Sequence, residues 1–380
     1  QSGAQRVGQL AFHALHVIDV VLQKQIRRAA LGDDVGRLLG AGKEVAGHVG
    51  KMLESANAIK RFDFDATKGL AKEIGNKRVI FTGMGSSVLF PARQAKSRAF
   101  ELNISNRVEV FFASDLLSYN DFSGTYVFLC SNLGMTKETI LLLEHIKKRK
   151  AKYAAVTAVP DSILAKKCKD RIIMQCGFEK GVAATKSVIE QGLILDSLVL
   201  NLAKNQGKKI NFGKIKRYAS GASKSILWNI NANVPNNMVN DLANASSIYF
   251  IGRKTGVADE IALKSHEIAR KNAFFYPDTH IVHGIEESIE SNPIVLFEPS
   301  KFKNFIGDFT NFSKRIDSKL YGVDSKRLIE GIKIKSTPYF ENYCLLAAGW
   351  GLLRGIAKKL RINIDKPKKA LKVGNPYKGK

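Results

Sequence analysis

Residues 260–283 contain the side chains best suited to chemistry. Glu260, Lys264 and Glu267 fall at i, i+4 and i+7, so a helix would place them on one face, and His283 follows shortly afterwards. Two carboxylates, an ammonium group and an imidazole can carry out proton transfer on a carbonyl compound. The same spacing also fits a solvated helix face with one i,i+4 ion pair. The rest of the chain must decide between these two interpretations.

Two loops have the composition of phosphate-binding loops. Residues 83–87 and 131–136 each follow a predicted strand, combine glycine with hydroxyl side chains and precede a predicted helix. The free N–H groups and dipole of a helix N-terminus favour an anion, and open α/β sheets bind ligands at this edge. Ordinary turns with Ser or Thr caps would have the same composition. Neither loop fits the dinucleotide fingerprint or the Walker pattern, so we expect neither NAD nor ATP.

Strands and helices alternate in the first half of the chain. Short apolar runs predict strands at 78–82, 107–112, 125–130, 153–157 and 171–175. Helical patterns follow from about Leu89 and at 136–149, 162–169 and 185–203. This alternation predicts an α/β fold with a flavodoxin-like, doubly wound parallel sheet flanked by helices.

The alternation of strands and helices begins again in the second half. Strands are predicted at 247–251, 273–276, 293–298 and 331–335, with helices at 302–316 and 343–360 and the candidate catalytic helix after a glycine-containing loop. We expect four regions. They are a helical N-terminal extension of unclear role (1–48, with an amphipathic helix at 9–30), a first α/β domain (49–206), a second α/β domain (207–360) and an extended basic tail (361–380).

Composition limits the class of protein. The chain has 380 residues, of which 45% are hydrophobic and 25% charged, which is enough for two ordinary domains. Its net charge of +26 suggests an anionic partner, but Lys and Arg are scattered and no nucleic-acid-binding motif occurs, so we do not expect nucleic acid. The four cysteines form neither metal-ligand spacing nor a disulfide scaffold. No apolar run approaches about 20 residues, so we expect a cytoplasmic protein without a membrane segment.

The loops of the first half resemble those of sugar isomerase (SIS) domains. Residues 131–136 are similar to the Ser-x-Ser-Gly-x-Thr loop of these domains, and residues 85–87 to their Gly-Thr-Ser loop. Residues 179–186 are similar to their Glu-x-Gly-Val-Ala-Ser-Thr-Lys segment. The resemblance implies that this half is a SIS domain that binds a sugar phosphate.

The second half resembles the isomerase part of the glutamine–fructose-6-phosphate amidotransferase family. The similar residues are 260–268 and, at the family's spacing, His283 and Gly284. Residues 365–372 are similar to the family's closing segment, which ends in a lysine. Taken in order from about residue 51 to residue 373, the resemblance implies two tandem SIS domains.

The resemblance also implies roles for individual residues. Those implied to contact the phosphosugar, with backbone help near Val182, are Gly85, Ser86, Ser87, Ser131, Asn132, Thr136, Glu179 and Val182. Glu267 would move a proton between C1 and C2 of the open-chain sugar, with Lys264 and Glu260 as supports. Lys372 would form a Schiff base with the ketone. His283 would assist ring opening from the neighbouring subunit of a homodimer with a shared active site.

These roles imply a phosphosugar aldose–ketose isomerase or an amino-sugar-phosphate deaminase acting on a substrate of the glucosamine 6-phosphate or fructose 6-phosphate type. The implied chemistry uses neither a metal nor another cofactor. His280 lies three residues before His283 and could suggest a metal pair, but the resemblance accounts for His283 without one. No cysteine precedes Cys130, so we expect no glutaminase nucleophile and no use of glutamine as amine donor.

Some residues depart from the family pattern. Leu133 and Ala184 stand where the family has phosphate-side hydroxyls, and Met135 replaces an acidic residue. Each lost hydroxyl removes a hydrogen bond worth about 1.5–3 kcal/mol to a charged acceptor. In the second domain, the loop after Glu298 lacks the Ser-x-Ser-Gly-x-Thr pattern, so we expect no second phosphate site there. These losses leave open a non-catalytic, sugar-phosphate-binding regulator as the alternative function.

Overall fold

The computed structural model describes residues 47–179 and 181–379, which contain two five-stranded sheets and their flanking helices. The strands are β1 (Arg78–Gly83), β2 (Val108–Phe112), β3 (Thr125–Cys130), β4 (Lys152–Thr157), β5 (Arg171–Ile173), β6 (Ser247–Gly252), β7 (Asn272–Pro277), β8 (Ile294–Phe297), β9 (Leu320–Asp324) and β10 (Gly331–Lys333). The α-helices are α1 (His48–Arg61), α2 (Lys68–Ile74), α3 (Pro91–Glu101), α4 (Lys137–Lys148), α5 (Ile163–Lys167), α6 (Lys186–Asn205), α7 (Phe212–Ile230), α8 (Asn236–Asn244), α9 (Val257–Lys264), α10 (Ile306–Arg315) and α11 (Glu341–Lys359).

The two sheets have the same strand order. The first runs β2-β1-β3-β4-β5, the second runs β7-β6-β8-β9-β10, and every strand pair is parallel. This confirms the predicted doubly wound sheets and the predicted repeat of one plan. In this order β2 lies on one side of β1, and β3 and the later strands lie on the other side. Strands β7 and β8 flank β6 in the same way, so each sheet has a topological switch point. Ligands bind at such switch points, outside the carboxyl ends of the strands.

Two long helices form the centre of the core. Helix α6 is buried along almost its whole length because α1, α2 and α3 pack against it. Helix α11 is likewise buried between α7, α8 and α9. Strand β3 is buried at every position, as expected for a parallel strand covered by helices on both faces. The core therefore holds rigidly the strand ends from which the candidate site projects.

Several predictions of elements were incomplete. Strand β9 was missed, because Gly322 interrupts its five residues and leaves no continuous apolar run. Helices α1 and α2 were also not predicted. The predicted helix at 9–30 and most of the predicted N-terminal extension lie outside the described residues. In the part of the chain that the structure describes, no helix is long and apolar enough to cross a bilayer.

The C-terminal tail was predicted to be extended; over 361–379 it has neither helix nor strand and contains several turns and bends. The tail is nevertheless hydrogen-bonded to the first α/β unit, at the loop after β3 and the start of α4. The N–H of Lys137 donates to the Asn375 carbonyl at 2.9 Å, and the N–H of Tyr377 donates to the Met135 carbonyl at 2.8 Å. The tail is therefore attached to the loop that the sequence predicts to bind phosphate.

Candidate active site

Helix α9 begins where only glycine can fit. Gly256 has φ of 86°, and a Cβ at this position would lie 2.0 Å from the Leu89 carbonyl oxygen. This close approach brings the start of α9 against the chain that follows β1 and turns one face of the helix inward. Glu260 and Lys264 on that face are both fully buried. The interpretation of this stretch as a solvated helix face is therefore wrong.

Lys264 lies at the centre of a buried charge cluster. Its Nζ is 3.2 Å from Glu260 Oε1 and 2.8 Å from Glu267 Oε2, and it donates to Ser86 Oγ at 2.6 Å. Burial lowers the pKa of the Lys264 ammonium, but Glu260 and Glu267 outweigh burial and raise that pKa above its usual value. Lys264 is therefore a permanent cation between two carboxylates.

The two carboxylates have different environments. Burial raises the pKa of Glu260, an effect that Lys264 opposes and Glu267 reinforces. Neither Glu260 oxygen has a hydrogen-bond donor in good geometry among the described residues, so its anion depends on the charge of Lys264. Glu267 instead retains 19% of its side-chain exposure. It is the carboxylate of this cluster that a ligand can reach.

A change of helix type positions Glu267. The α-helix ends at Lys264 and continues as a π-helical turn, Ser265–Ala269, which closes at Arg270 with φ of 51°. Wider turns of this kind occur often at functional sites, because they displace one residue from the regular face. The sequence spacing correctly grouped Glu260, Lys264 and Glu267, but it contained no indication of this turn.

The loop after β1 contacts the cluster directly. Gly85–Ser87 form a short 3-10 turn that starts with Gly85 at φ of 53°. Ser86 supplies the hydroxyl that accepts from Lys264, and the Ser87 carbonyl accepts from Gln191 Nε2 at 2.7 Å. The phosphate-type loop of the first sheet and the charged helix of the second half thus form one site.

The loop after β3 is held by its own hydroxyls. Ser131 Oγ lies 3.0 Å from Thr136 Oγ1 and accepts from the Gly134 N–H at 3.1 Å. Asn132 Nδ2 donates to Ser187 Oγ at 3.1 Å, whereas Asn132 Oδ1 is buried without a donor among the described residues. Leu133 and Met135 are half-buried in this loop. An unpaired acceptor beside two hydroxyls suits a polyhydroxylated ligand.

Glu179 requires a correction. It was predicted to contact the substrate, but it is fully buried and accepts hydrogen bonds from Thr185 Oγ1 and Ser187 Oγ, both at 2.6 Å. Burial raises the pKa of Glu179, but these hydrogen bonds and the charge of Lys372 outweigh it and lower that pKa. Glu179 therefore fixes the segment that carries the half-buried Val182 instead of facing a ligand.

Glu190 was missed by the sequence interpretation. Its two oxygens accept from the N–H groups of Gln175 and Cys176, both at 2.5 Å. It acts in the same way as Glu179 by fixing the chain that follows β5. No signal in the sequence singles it out, because α6 also contains the polar residues Gln191 and Asp196.

Lys372 enters the site from the tail. Its Nζ donates to the Gly181 carbonyl at 2.6 Å. Burial lowers the pKa of Lys372, and the positive charge of Lys264 lowers it further. The carboxylates of Glu179 and Glu267 oppose this lowering but do not cancel it. Because Glu179, Lys264 and Glu267 all act on it electrostatically, Lys372 belongs to the same site as α9. A lysine with a lowered pKa is more often neutral and can act as a nucleophile.

His283 is separate from this cluster. Its side chain is exposed, and neither a hydrogen bond nor an ion pair joins it to Glu260, Lys264, Glu267 or Lys372 in the described residues. It lines a cavity of about 400 Å³ together with residues that include Val282, Phe305, Phe312 and Arg315. Within one chain, therefore, the structure brings together the predicted catalytic residues other than His283.

Comparison with known proteins identifies the first α/β unit. Residues 74–201 match the family model of the SIS domain. These residues are a SIS domain. The match covers β1–β5 and the loops after β1 and β3, and the identical strand order gives the two sheets together the fold of tandem SIS domains.

Several curated proteins similar to this chain are aminotransferases. It is 27% identical over 294 residues to a glutamine–fructose-6-phosphate aminotransferase (isomerizing) of Sulfurisphaera tokodaii, covering 74% of this chain and 48% of that protein. It is 31% identical over 204 residues to the protein of the same name from Mycobacterium leprae, covering 51% of this chain and 32% of that one. The chain is thus homologous to part of these proteins and spans about half the length of the first.

Solved structures show the same fold. The C-terminal domain of a glucosamine-fructose-6-phosphate aminotransferase from Francisella tularensis has a TM-score of 0.72 at 20% identity, covering 86% of this chain and 100% of that one. A glucosamine-6-phosphate deaminase from Thermotoga maritima has a TM-score of 0.65 at 20% identity, covering 85% of this chain and 98% of that one. At this identity the likeness concerns the fold alone.

Proposed function

We propose that this chain is a phosphosugar aldose–ketose isomerase or an amino-sugar-phosphate deaminase. The observation that carries the proposal is the convergence of Glu267, Lys264 and Lys372 beside the hydroxyl loops of the SIS domain. A carboxylate, a fixed cation and an amine of lowered pKa are the groups that proton transfer next to a carbonyl requires. The aminotransferase and deaminase names of similar proteins support the same substrate class.

The proposed reaction moves one proton between neighbouring carbons. Glu267 removes the proton from C2 of the open-chain sugar and returns it to C1, while the Lys264 cation stabilises the charge that develops on the enediol oxygen. With an amino-sugar phosphate, this transfer turns the C2 amine into an imine. Attack by the neutral Lys372 amine displaces ammonia and forms a Schiff base, which one water then hydrolyses to the ketose phosphate and free lysine.

We further propose that His283 serves the site of a second copy of this chain. Its exposure and its separation from the Lys264 cluster support a contribution across a subunit interface. Sedimentation of the active protein as a monomer would exclude this arrangement.

The test is incubation of the purified protein with glucosamine 6-phosphate, with fructose 6-phosphate plus ammonia, and with glucose 6-phosphate, following ammonia and ketose. We expect turnover of at least one of them. Absence of turnover with every phosphosugar, together with an increase of Tm on adding one, would favour the sugar-phosphate-binding regulator. Leu133 and Ala184, which lack the family's hydroxyls, are the residues that favour that second function.

Borohydride should trap Lys372 on the substrate. We expect reduction of a mixture of protein and ketose phosphate to attach the sugar at Lys372, and Lys372→Ala to abolish both the label and turnover through the imine. Because the pKa of Lys372 is lowered, mainly by burial, its neutral fraction at any given pH exceeds that of an ordinary lysine. Trapping should therefore reach its plateau at a lower pH than for an ordinary lysine, as measured by mass spectrometry.

Lys369→Ala is the matched control, since Lys369 is an exposed lysine of the same tail. Labelling that persists in Lys372→Ala at the wild-type extent would contradict the assignment of the amine.

Restoring a hydroxyl to the loop after β3 should strengthen phosphosugar binding. In Leu133→Ser, the new hydroxyl can donate to a phosphate oxygen, and a hydrogen bond of about 1.5–3 kcal/mol corresponds to an affinity about 10–150-fold higher. Calorimetric titration with a phosphosugar measures the change. Leu141→Ser, at an exposed leucine on α4, controls for the loss of apolar surface. Unchanged or weaker binding would mean that this loop does not hold the phosphate.

A further inference from the structure

The carboxyl edge of the second sheet contains an ion pair in which the glutamate is buried and the arginine side chain is 32% exposed. Arg253 follows β6 and Glu298 follows β8, and the two are joined by Nε to Oε2 at 3.0 Å and Nη2 to Oε1 at 2.9 Å. Glu298 is 5% exposed and has φ of 56°, a conformation that residues other than glycine rarely adopt. This two-pronged geometry is the one in which a guanidinium binds carboxylates and phosphates. The pair thus has the form of an occupied anion site.

The pair lies at the switch point of its sheet. In the first sheet Gly83 is aligned with Cys130 across β1 and β3. In the second sheet Ile251 is aligned with Leu296 across β6 and β8, so Gly252 and Phe297 are the next aligned positions. Because the strand order is the same, Ser131 and Glu298 occupy equivalent places, each directly after its strand. Glu298 therefore stands where the SIS domain has the first hydroxyl of its candidate ligand loop.

A second carboxylate occupies the backbone donors beside this pair. Asp324 ends β9, and its Oδ2 accepts from the Ser300 N–H at 2.7 Å while its Oδ1 accepts from the Ser325 N–H at 2.7 Å. The equivalent residue at the end of β4 is Thr157, which carries no charge. A guanidinium and two N–H groups at this edge thus have carboxylate partners supplied by the chain itself.

We propose that the second switch point is an anion site of the carboxylate or phosphate class that Glu298 occupies as an internal ligand. Glu298 keeps Arg253 from binding a free anion and limits the chain to one anionic ligand, at the first sheet. That the first sheet binds an anionic ligand rests on the proposed function. The anion site at Arg253 rests only on the contacts described here. Removal of the Glu298 charge should therefore open a site for an external anion.

The test is titration of Glu298→Gln and of the wild type with inorganic phosphate, at ionic strength held constant with chloride. We expect calorimetry to show one additional phosphate per chain in Glu298→Gln. At phosphate about tenfold above the dissociation constant, occupation should raise the folded-to-unfolded ratio about 11-fold, seen as a higher Tm. The additional site should disappear in Arg253→Met/Glu298→Gln.

The controls separate this site from the first one. Both variants keep the loops of the SIS domain, so a difference between them cannot come from phosphate bound there. Glu290→Gln removes an exposed glutamate that also has a positive φ, of 50°, and should bind phosphate as the wild type does. Equal stoichiometry in the wild type and in folded Glu298→Gln would overturn the proposal.

If Glu298→Gln does not fold in chloride, phosphate or acetate should restore its near-ultraviolet circular dichroism. Failure of both anions to restore it would show that the pair is structural only, and would also overturn the proposal.

Discussion

Glu267→Gln should lower kcat by about 10²–10⁴-fold, the range that a positioned acid–base group contributes. Glutamine keeps the size of the side chain and can still contact Lys264, but its amide cannot take up the substrate proton. Phosphosugar binding should change little, because the loop hydroxyls and Lys372 remain in place. A fall in kcat with an unchanged dissociation constant separates loss of chemistry from loss of the site.

The matched control for this variant is Glu287→Gln. Glu287 is exposed and lies in the segment that follows His283, so its substitution should leave kcat at the wild-type value. Wild-type turnover in Glu267→Gln would refute the assignment of the proton carrier, whatever the control shows.

Lys264→Met should be the most destabilising single change in the charge cluster. It leaves the fully buried Glu260 and the nearby Glu267 without the cation between them. Removing one partner of a buried ion pair typically costs about 3–5 kcal/mol, because the remaining charge stays desolvated. Urea unfolding of the two proteins measures this difference in the free energy of unfolding.

The loss should depend on pH with a definite sign. The pKa of Glu260 is already raised by burial, and the loss of Lys264 raises it further. A carboxyl group whose folded-state pKa is raised destabilises the fold as pH rises through that pKa, because the unfolded state releases its proton first. Lys264→Met should therefore lose more stability at pH 8 than at pH 5.

Two further variants test the cause of this loss. Glu260→Gln/Lys264→Met removes the unpaired charge and should recover much of the stability at pH 8. Lys314→Met replaces an exposed lysine on α10 and should have little effect. An equal loss at both pH values would assign the effect to packing and not to the buried carboxylates.

The sequence predicted local features better than distant pairings. Helical spacing grouped Glu260, Lys264 and Glu267 because side chains three or four positions apart share a face. It could not show that this face is buried, since burial depends on the approach of Gly256 to Leu89. Short apolar runs predicted most strands. They did not predict β9, whose five residues contain Gly322 and pair with β8 and β10 only in the folded sheet.

Contacts that no local pattern indicates explain the other differences. The resemblance placed Glu179 at the substrate, but its partners Thr185 and Ser187 occupy both of its oxygens. The pair of Arg253 and Glu298 joins positions that become neighbours only through the order of β6 and β8. Strand order is set by packing of whole elements, so no local pattern could indicate these contacts.

The two sheets share a strand order but differ in how the polar groups at their carboxyl edges are paired. The hydroxyl loop of the first sheet pairs with itself, Ser131 with Thr136, and can exchange those bonds whenever a ligand arrives or departs. We expect Arg253 and Glu298 of the second sheet to remain paired whether or not a ligand is bound at the first sheet. Glu260, Lys264 and Glu267 project from this second half. We expect their ion pairs, at 3.2 and 2.8 Å, to hold these three side chains in place both before and after a ligand binds.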